Sequence, residues 1–236
     1  MKLLEVKDVT KRFGGLTANQ DVSFGVDAGQ VVGLIGPNGA GKTTMFNCVA
    51  GFFAPTLGTI LLGGRDIAGL SPEACAKAGV ARTFQIARTF TSMTACENVM
   101  TAAMLLEHNV GKARHAAMQC LTFVNLERFA DKPAGSMTIS EQRRLAVARA
   151  LAIQPRILLM DEVMAGLNPS EVREAVEIVL KIKGKGIACL IVEHVLEGIM
   201  PIADKIVVLD RGVKIAEGTP AQVSNDPVVI TAYLGD

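Results

Sequence analysis

The run Gly36-Pro37-Asn38-Gly39-Ala40-Gly41-Lys42-Thr43-Thr44 restricts what this chain can fold into more than any other stretch. It fits the phosphate-loop pattern G-x-x-x-x-G-K-[ST], and its flanks supply the context that pattern needs. The apolar stretch Val31 to Ile35 before it is of strand type, and Thr44 to Ala50 after it opens a helix. Glycines let backbone N–H groups turn inward and converge on phosphate oxygens. A helix N-terminus adds unpaired donors and a partial positive charge. Lys42 has the reach for terminal phosphates, and the Thr43 hydroxyl can ligate magnesium. The alternative is a glycine-rich turn that merely looks like such a loop; the strand and the helix argue against it.

Composition narrows the partners. Half of the 236 residues are hydrophobic, ample for a packed core in one large domain or two small ones. The formal net charge is +1, aromatics make up 4% and there is no Trp, so neither a nucleic-acid groove nor a base-stacking platform is indicated. Cys48, Cys75, Cys96, Cys120 and Cys189 are scattered without a Cys-x-x-Cys pair. That pattern fits a reducing compartment and core packing better than a disulfide frame or zinc site. Met1-Lys2-Leu3-Leu4-Glu5-Val6 lacks the apolar core of a signal peptide, and no apolar run approaches a membrane span. The expectation is a cytoplasmic chain that meets a membrane only through a partner.

Alternation predicts strands over Leu3 to Val9 and Val22 to Val26, with further candidates at Thr59 to Leu62 and Val80 to Phe84. Ile157 to Met160 and Ile187 to Val192 are wholly apolar, as strands buried on two faces of a largely parallel sheet would be. Lys205 to Asp210 and Val213 to Glu217, joined by Arg211-Gly212, read as a late hairpin. Between these sets the pattern is helical: Cys96 to Leu106, Lys112 to Val124 and Ser140 to Ile153, with Asp131 to Gly135 as a loop. Ser170 to Ile182 is a further helix, stopped by Lys183-Gly184-Lys185-Gly186. A helical block therefore interrupts an α/β core.

Later features narrow the chemistry. Ile157-Leu158-Leu159-Met160-Asp161-Glu162 is an apolar strand ending in two acids. Asp161 is placed to hold magnesium, and Glu162 to orient or deprotonate an attacking water. An acidic turn after a strand is the plain alternative. His194 follows the strand Ala188 to Glu193, where it could hydrogen-bond a γ-phosphate at the C-terminal edge of the sheet. Gln85 follows the strand Val80 to Phe84. Its amide could contact magnesium or the water, although alone it would read as a surface glutamine.

In this order of parts the chain resembles the nucleotide-binding subunits of ABC transporters, over essentially its whole length. It is most similar to the branched-chain amino-acid importer ATPases. The local runs Lys11-Arg12-Phe13-Gly14-Gly15-Leu16, Ala81-Arg82-Thr83-Phe84-Gln85, Ala165-Gly166-Leu167-Asn168-Pro169 and Ala232-Tyr233-Leu234-Gly235 carry that likeness. The resemblance implies a phosphate-loop NTPase (RecA-like) α/β core with an N-terminal antiparallel β subdomain and an inserted α-helical subdomain. One nucleotide-binding domain would span 1–236, with 1–85 and 154–236 as the core and 86–153 as the helical signature subdomain. ATP and Mg2+ would be the ligands, held by residues 36–44 (Gly36, Pro37, Asn38, Gly39, Ala40, Gly41, Lys42, Thr43, Thr44), with Thr43, Gln85 and Asp161 toward the metal. Glu162, His194 and Gln85 would serve hydrolysis, and Phe13 would stack on the adenine. The resemblance further implies a dimer beneath membrane-spanning permease subunits at the cytoplasmic face of the inner membrane. The second ATPase would be a different chain or another copy, and a periplasmic or extracellular substrate-binding protein would act indirectly. Glu97 would lie in the region that transmits nucleotide state, or serve as an ordinary first-turn acid.

The family signature is commonly Leu-Ser-Gly-Gly-Gln; here the aligned residues are Met137-Thr138-Ile139-Ser140-Glu141. Thr138 preserves a hydroxyl for the partner's γ-phosphate, whereas Ile139 and Ser140 replace glycines. Glu141 brings a negative charge toward a negative ligand, a repulsion of about 3 kcal/mol at ~6 Å and an effective dielectric of ~20. Thr138-x-x-Glu141 also reads as a capping box that would turn this charge back on its own helix. Arg143-Arg144 could serve the site or form a solvated helix face. Asn168 stands where many relatives carry Asp, and Asn168-Pro169-Ser170-Glu171 reads as a helix start. The expected function is an Mg-dependent ATPase powering import of branched-chain or other small amino acids, with unequal ATP sites. The alternatives are a catalytically weak ATP-binding regulatory subunit, or an importer ATPase for urea or short amides. A soluble ABC protein acting on nucleic acid is disfavoured by the single phosphate loop and the near-neutral charge.

Overall fold

The computed structural model describes residues 2–83 and 89–234. Its elements run β1 (Lys2–Phe13), β2 (Leu16–Asp27), β3 (Val31–Ile35), α1 (Lys42–Val49), β4 (Leu57–Leu62), β5 (Arg65–Asp66), α2 (Pro72–Ala78) and β6 (Val80–Arg82). Then follow α3 (Ala95–Ala103), α4 (Val110–Phe123), α5 (Ile139–Leu151), β7 (Ile157–Asp161), α6 (Pro169–Gly184) and β8 (Ala188–Val192). The chain closes with α7 (Leu196–Ile199), β9 (Lys205–Asp210), β10 (Val213–Gly218), α8 (Pro220–Ser224) and α9 (Pro227–Leu234). Among the described residues no helix is long and apolar enough to cross a membrane.

Two sheets result. β2-β1-β4-β5 is antiparallel, and β10-β9-β3-β8-β7-β6 is parallel apart from the β9–β10 hairpin. Every residue of β3, β7 and β8 is buried, as their continuous apolar runs require in a sheet covered on both faces. Successive residues divide between the faces. Val32, Leu34, Leu159 and Leu190 pack with α1 (Met45, Phe46, Val49) and the antiparallel sheet (Leu4, Val6, Phe24). Val31, Ile35, Leu158, Met160 and Ile191 pack on the helical side with Val99, Leu121, Leu145 and Ile178. Each fully buried Leu, Ile or Phe side chain contributes about 1.5–3 kcal/mol of transfer free energy.

The predicted elements form, with shifted ends. The β1 and β2 strands are longer than the alternating segments because irregular register around Asp8 and Asp21, both at positive φ, breaks the alternation without ending the pairing. The strand from Val80 stops at Arg82, and the helix expected from Cys96 to Leu106 ends at Ala103. The helix expected from Ser140 to Ile153 runs from Ile139 to Leu151, and the loop expected over 131–135 passes into a 3-10 turn at Ala134–Ser136. α6 continues through Gly184, two residues past the expected stop, and turns at Gly186 with φ 77°. The five cysteines are free, and all but Cys120 are buried, as expected of core residues.

Candidate functional site

β3, β8, β7 and β6 lie side by side and point the same way, so their C-terminal ends open onto one edge. The loops leaving that edge carry Gly36–Lys42, His194, Asp161-Glu162 and the segment toward Gln85. An open edge of this kind is where α/β sheets place ligands. Gln85 itself lies outside the described residues.

The loop after β3 needs its glycines. Gly36 has φ 148°, and a Cβ there would sit 2.0 Å from the Leu209 carbonyl oxygen. Gly41, at φ 94°, caps α1 in the left-handed region, and a Cβ would meet Ala18 O at 2.5 Å and Asn19 Nδ2 at 2.4 Å. The first turn of α1 has neither a side-chain cap nor an acid, so no side chain of that turn competes for its N–H groups. Lys42 is 8% exposed, and its Nζ donates to the carbonyls of Gly36 at 2.6 Å and Pro37 at 2.8 Å. Burial lowers its pKa, and the nearby Glu162 carboxylate opposes that shift. Thr43 is exposed beside it. A cavity of about 540 Å³ is lined by residues of this loop, by Thr43 and Thr44, by Leu16 and by Glu162.

Glu162 follows β7 with φ 49°, an uncommon conformation for a residue with a Cβ. Its N–H is held by Val192 O at 2.9 Å, and its Oε1 lies 3.7 Å from His194 Nδ1. The two strand exits thus place the expected base and the expected γ-phosphate ligand next to one another. Asp161 is buried at the end of β7, and its Oδ2 accepts from Arg82 at 3.2 Å. Burial pushes its carboxyl upward, while the Arg82 guanidinium pulls it back. Arg82 is also bonded to Asn47 Oδ1 at 2.5 Å, and its guanidinium lies over the rings of Phe46 and Phe52 at 4.8 and 4.9 Å from their centroids.

Among the described residues no cluster of three or more His, Cys, Asp or Glu side chains could hold a metal alone. A hydroxyl at Thr43 and a buried carboxylate at Asp161 are instead the sparse oxygen set that magnesium uses when water and substrate phosphates complete its shell. The chain's donors fit the group on that ground.

Phe13 is half-exposed at the end of β1, edge-on to Phe53 at 5.2 Å with Lys11 Nζ 4.8 Å from its centroid. The cavity wall nearest the loop is formed by Leu16, Thr17 and Ala18 rather than by Phe13. The signature region resolves the open question in its local structure. Thr138 Oγ1 accepts the Glu141 N–H at 3.2 Å, and Glu141 Oε2 accepts the Thr138 N–H at 2.9 Å and Lys132 Nζ at 2.8 Å. Burial raises the Glu141 pKa, but those donors outweigh it and hold the carboxyl below the ordinary range. Ile139 is 70% exposed and Ser140 is buried. Arg143 and Arg144 do not form a solvated face. Arg143 donates to Val163 O and Ala165 O, and Arg144 pairs with Glu174. Glu97 closes a capping box with Thr94, and Asn168 caps α6 through Ser170 and Glu171 N–H at 3.0 and 3.1 Å.

Sequence reasoning missed the braces around the loop. Asn19, fully buried in β2, donates to Gly41 O at 3.2 Å. Gly212, in the β9–β10 turn, donates to Ala40 O at 3.1 Å. Arg82 on Asp161 was likewise missed, and a lone arginine at the end of a strand gives no signal of its partner.

Residues 19–165 match the family model described as ABC transporter, and residues 213–236 match the model described as branched-chain amino acid ATP-binding cassette transporter. The high-affinity branched-chain amino acid transport ATP-binding protein BraF of Pseudomonas aeruginosa is 42% identical, covering 99% of this chain and 98% of its own. The Escherichia coli protein LivG, described in the same words, is 40% identical with the same coverage. The crystal structure of a nucleotide-free ATP-binding cassette from an ABC transporter aligns with a TM-score of 0.91 at 30% identity over 100% of both chains. A dimeric cassette in a post-hydrolysis state bound to ADP and Pi aligns with a TM-score of 0.83 at 26% identity, covering 92% of this chain and 98% of that one.

Proposed function

The chain belongs to the ABC transporter ATP-binding family, and we propose that it hydrolyses ATP to drive import of branched-chain or other small amino acids. The likeness to BraF and LivG over nearly the full length supports the transport half of this reading. The observation that carries the chemical half is that the phosphate loop and Glu162 line one cavity, with His194 3.7 Å from Glu162.

In this reading the α1 N-terminus and the loop N–H groups cradle the phosphates of ATP. Lys42 exchanges the Gly36 and Pro37 carbonyls for phosphate oxygens. Thr43 and Asp161 would hold magnesium, with Gln85 the third residue assigned to that ion, and the bound metal would neutralise phosphate charge. Glu162 orients a water and takes its proton as the water oxygen bonds to the γ-phosphorus. The bond from that phosphorus to the ADP oxygen breaks. His194 holds a γ-phosphate oxygen, and ADP and inorganic phosphate leave. The adenine lies toward the β1–β2 end, near Phe13 and Leu16.

The chain works at the cytoplasmic face of the membrane, as one of two ATPase subunits beneath permease subunits, with residues 86–153 as the signature-bearing subdomain. Its own hydrolytic residues match the family pattern, whereas Thr138, Ile139, Ser140 and Glu141 offer the partner's ATP a self-capped helix end. The two sites of a heterodimer are therefore unequal, and the one using Lys42 is the faster. Blocking either site in turn should then cost different amounts of turnover; equal losses would reject the asymmetry. For the ATPase itself, Glu162→Gln should lower Mg-dependent turnover by about 10²–10⁴-fold while ATP binding persists. Lys42→Ala should lose binding. Full turnover in Glu162→Gln would sink the assignment.

A further inference from the structure

β8 leads into Glu193, which is 0% exposed. A buried carboxylate is costly unless it is hydrogen-bonded, so its presence marks a task that an apolar residue could not perform there. Glu193 Oε1 accepts the Met164 N–H at 2.7 Å, across 29 residues of sequence. Glu193 Oε2 is buried without a hydrogen-bond partner among the described residues, although the Val195 and His194 backbone N–H groups and the His194 ring nearby favour the carboxylate's charge. Burial nonetheless drives the carboxyl above the ordinary range.

These partners stand in the two loops that matter for hydrolysis. Met164 is two residues after Glu162, and His194 is the next residue after Glu193. The loop after β7 is also gripped by Arg143, which donates to the carbonyls of Val163 and Ala165. Its peptides thus alternate, with carbonyls toward α5 and the Met164 N–H toward Glu193. Glu162 itself keeps a left-handed φ of 49°, a conformation that persists only when its surroundings over-determine it.

We propose that Glu193 is a positioning residue for hydrolysis, fastening the loop that carries Glu162 to the loop that carries His194. It touches no phosphate. It fixes where the water-orienting carboxylate stands relative to the histidine, and leaves the phosphate loop alone. This rests on the ATPase reading above and adds a residue outside the motifs.

The test compares wild type, Glu193→Gln and Glu193→Asp in the purified full chain with Mg–ATP. Gln keeps the size and offers an amide N–H₂ where a second acceptor oxygen stood; Asp keeps the charge and shortens the reach. Both should lower kcat at least tenfold, leave KM for ATP within twofold, and retain the folded state by circular dichroism. Single-turnover rates with labelled ATP should show the Glu193→Gln loss largely vanishing in a Glu162→Gln background, because both act on one water. Turnover within twofold of wild type in both variants would overturn the proposal. So would a loss that persists undiminished in the Glu162→Gln background, which would mean general loosening. Absence of Mg-dependent turnover in wild type would instead strike the ATPase reading itself.

Discussion

The α1 and α5 N-termini begin with the same physical asset and put it to opposite uses. Each helix start presents unpaired N–H groups and the positive end of a dipole. α1 starts from Gly41 with no side-chain cap and no acid in its first turn. α5 starts from a complete capping box, with Glu141 folded back on Thr138 and paired with Lys132. A cap stabilises a helix by about 0.5–2 kcal/mol, so α1 forgoes that stabilisation and α5 keeps it. What α1 keeps is a set of donors without an internal competitor, the feature on which the proposed phosphate site rests. The lesson is that an uncapped helix end is informative only beside a capped one in the same molecule.

The contrast can be broken most forcefully by giving α1 the acid that α5 has. Thr44 occupies in α1 the third helical position that Glu141 occupies in α5. Thr44→Glu should weaken ATP binding about 10–100-fold relative to Thr44→Gln, from repulsion of about 1.4–3 kcal/mol at ~6–12 Å and an effective dielectric of ~20. Equal Kd values for the two variants would show that charge at this helix end is irrelevant. A smaller effect comes from removing the cap that α5 has. Thr138→Ala should cost about 0.5–2 kcal/mol in denaturant unfolding, like Asn168→Ala at α6. An unchanged midpoint would mean that the box contributes nothing.

The mildest change, Glu141→Gln, keeps the box and removes its charge. Turnover of the dimer should rise about two- to fivefold if the partner's phosphate meets this helix end, the range expected for a dipole-scale charge effect. The same variant gives the pH dependence. Glu141 titrates below its ordinary value of 4.5 in the folded chain, so its charged form adds stability above that value. As pH falls through the depressed folded value, the advantage of wild type over Glu141→Gln should close. A gap that widens on acidification would reverse the sign and contradict the ion pair with Lys132.

Local chemistry made much of this legible in advance. The phosphate loop, the apolar runs that became β3, β7 and β8, and the Thr138 and Asn168 helix starts all declare themselves within a few residues. Hydrogen bonds of that range depend on side-chain type and spacing alone. Arg143 and Arg144 show where such reasoning ends. Two basic residues on a helix looked like a solvated face or a ligand site, yet one holds the loop after β7 and the other pairs with Glu174.

The sequence by itself determined which segment could hold phosphate, which strands had to be buried on both faces, and which helix ends would cap themselves. Only the tertiary structure decided that Arg82 would reach Asp161 across 79 residues, that Gly212 and Asn19 would brace Ala40 and Gly41, and that Glu193 would hold Met164. The reason is physical. A cap or a turn satisfies its donors within one or two helical turns, so its partners are written beside it. A buried carboxylate or guanidinium is satisfied by whatever the strand order brings against it, and that order follows from packing the whole chain.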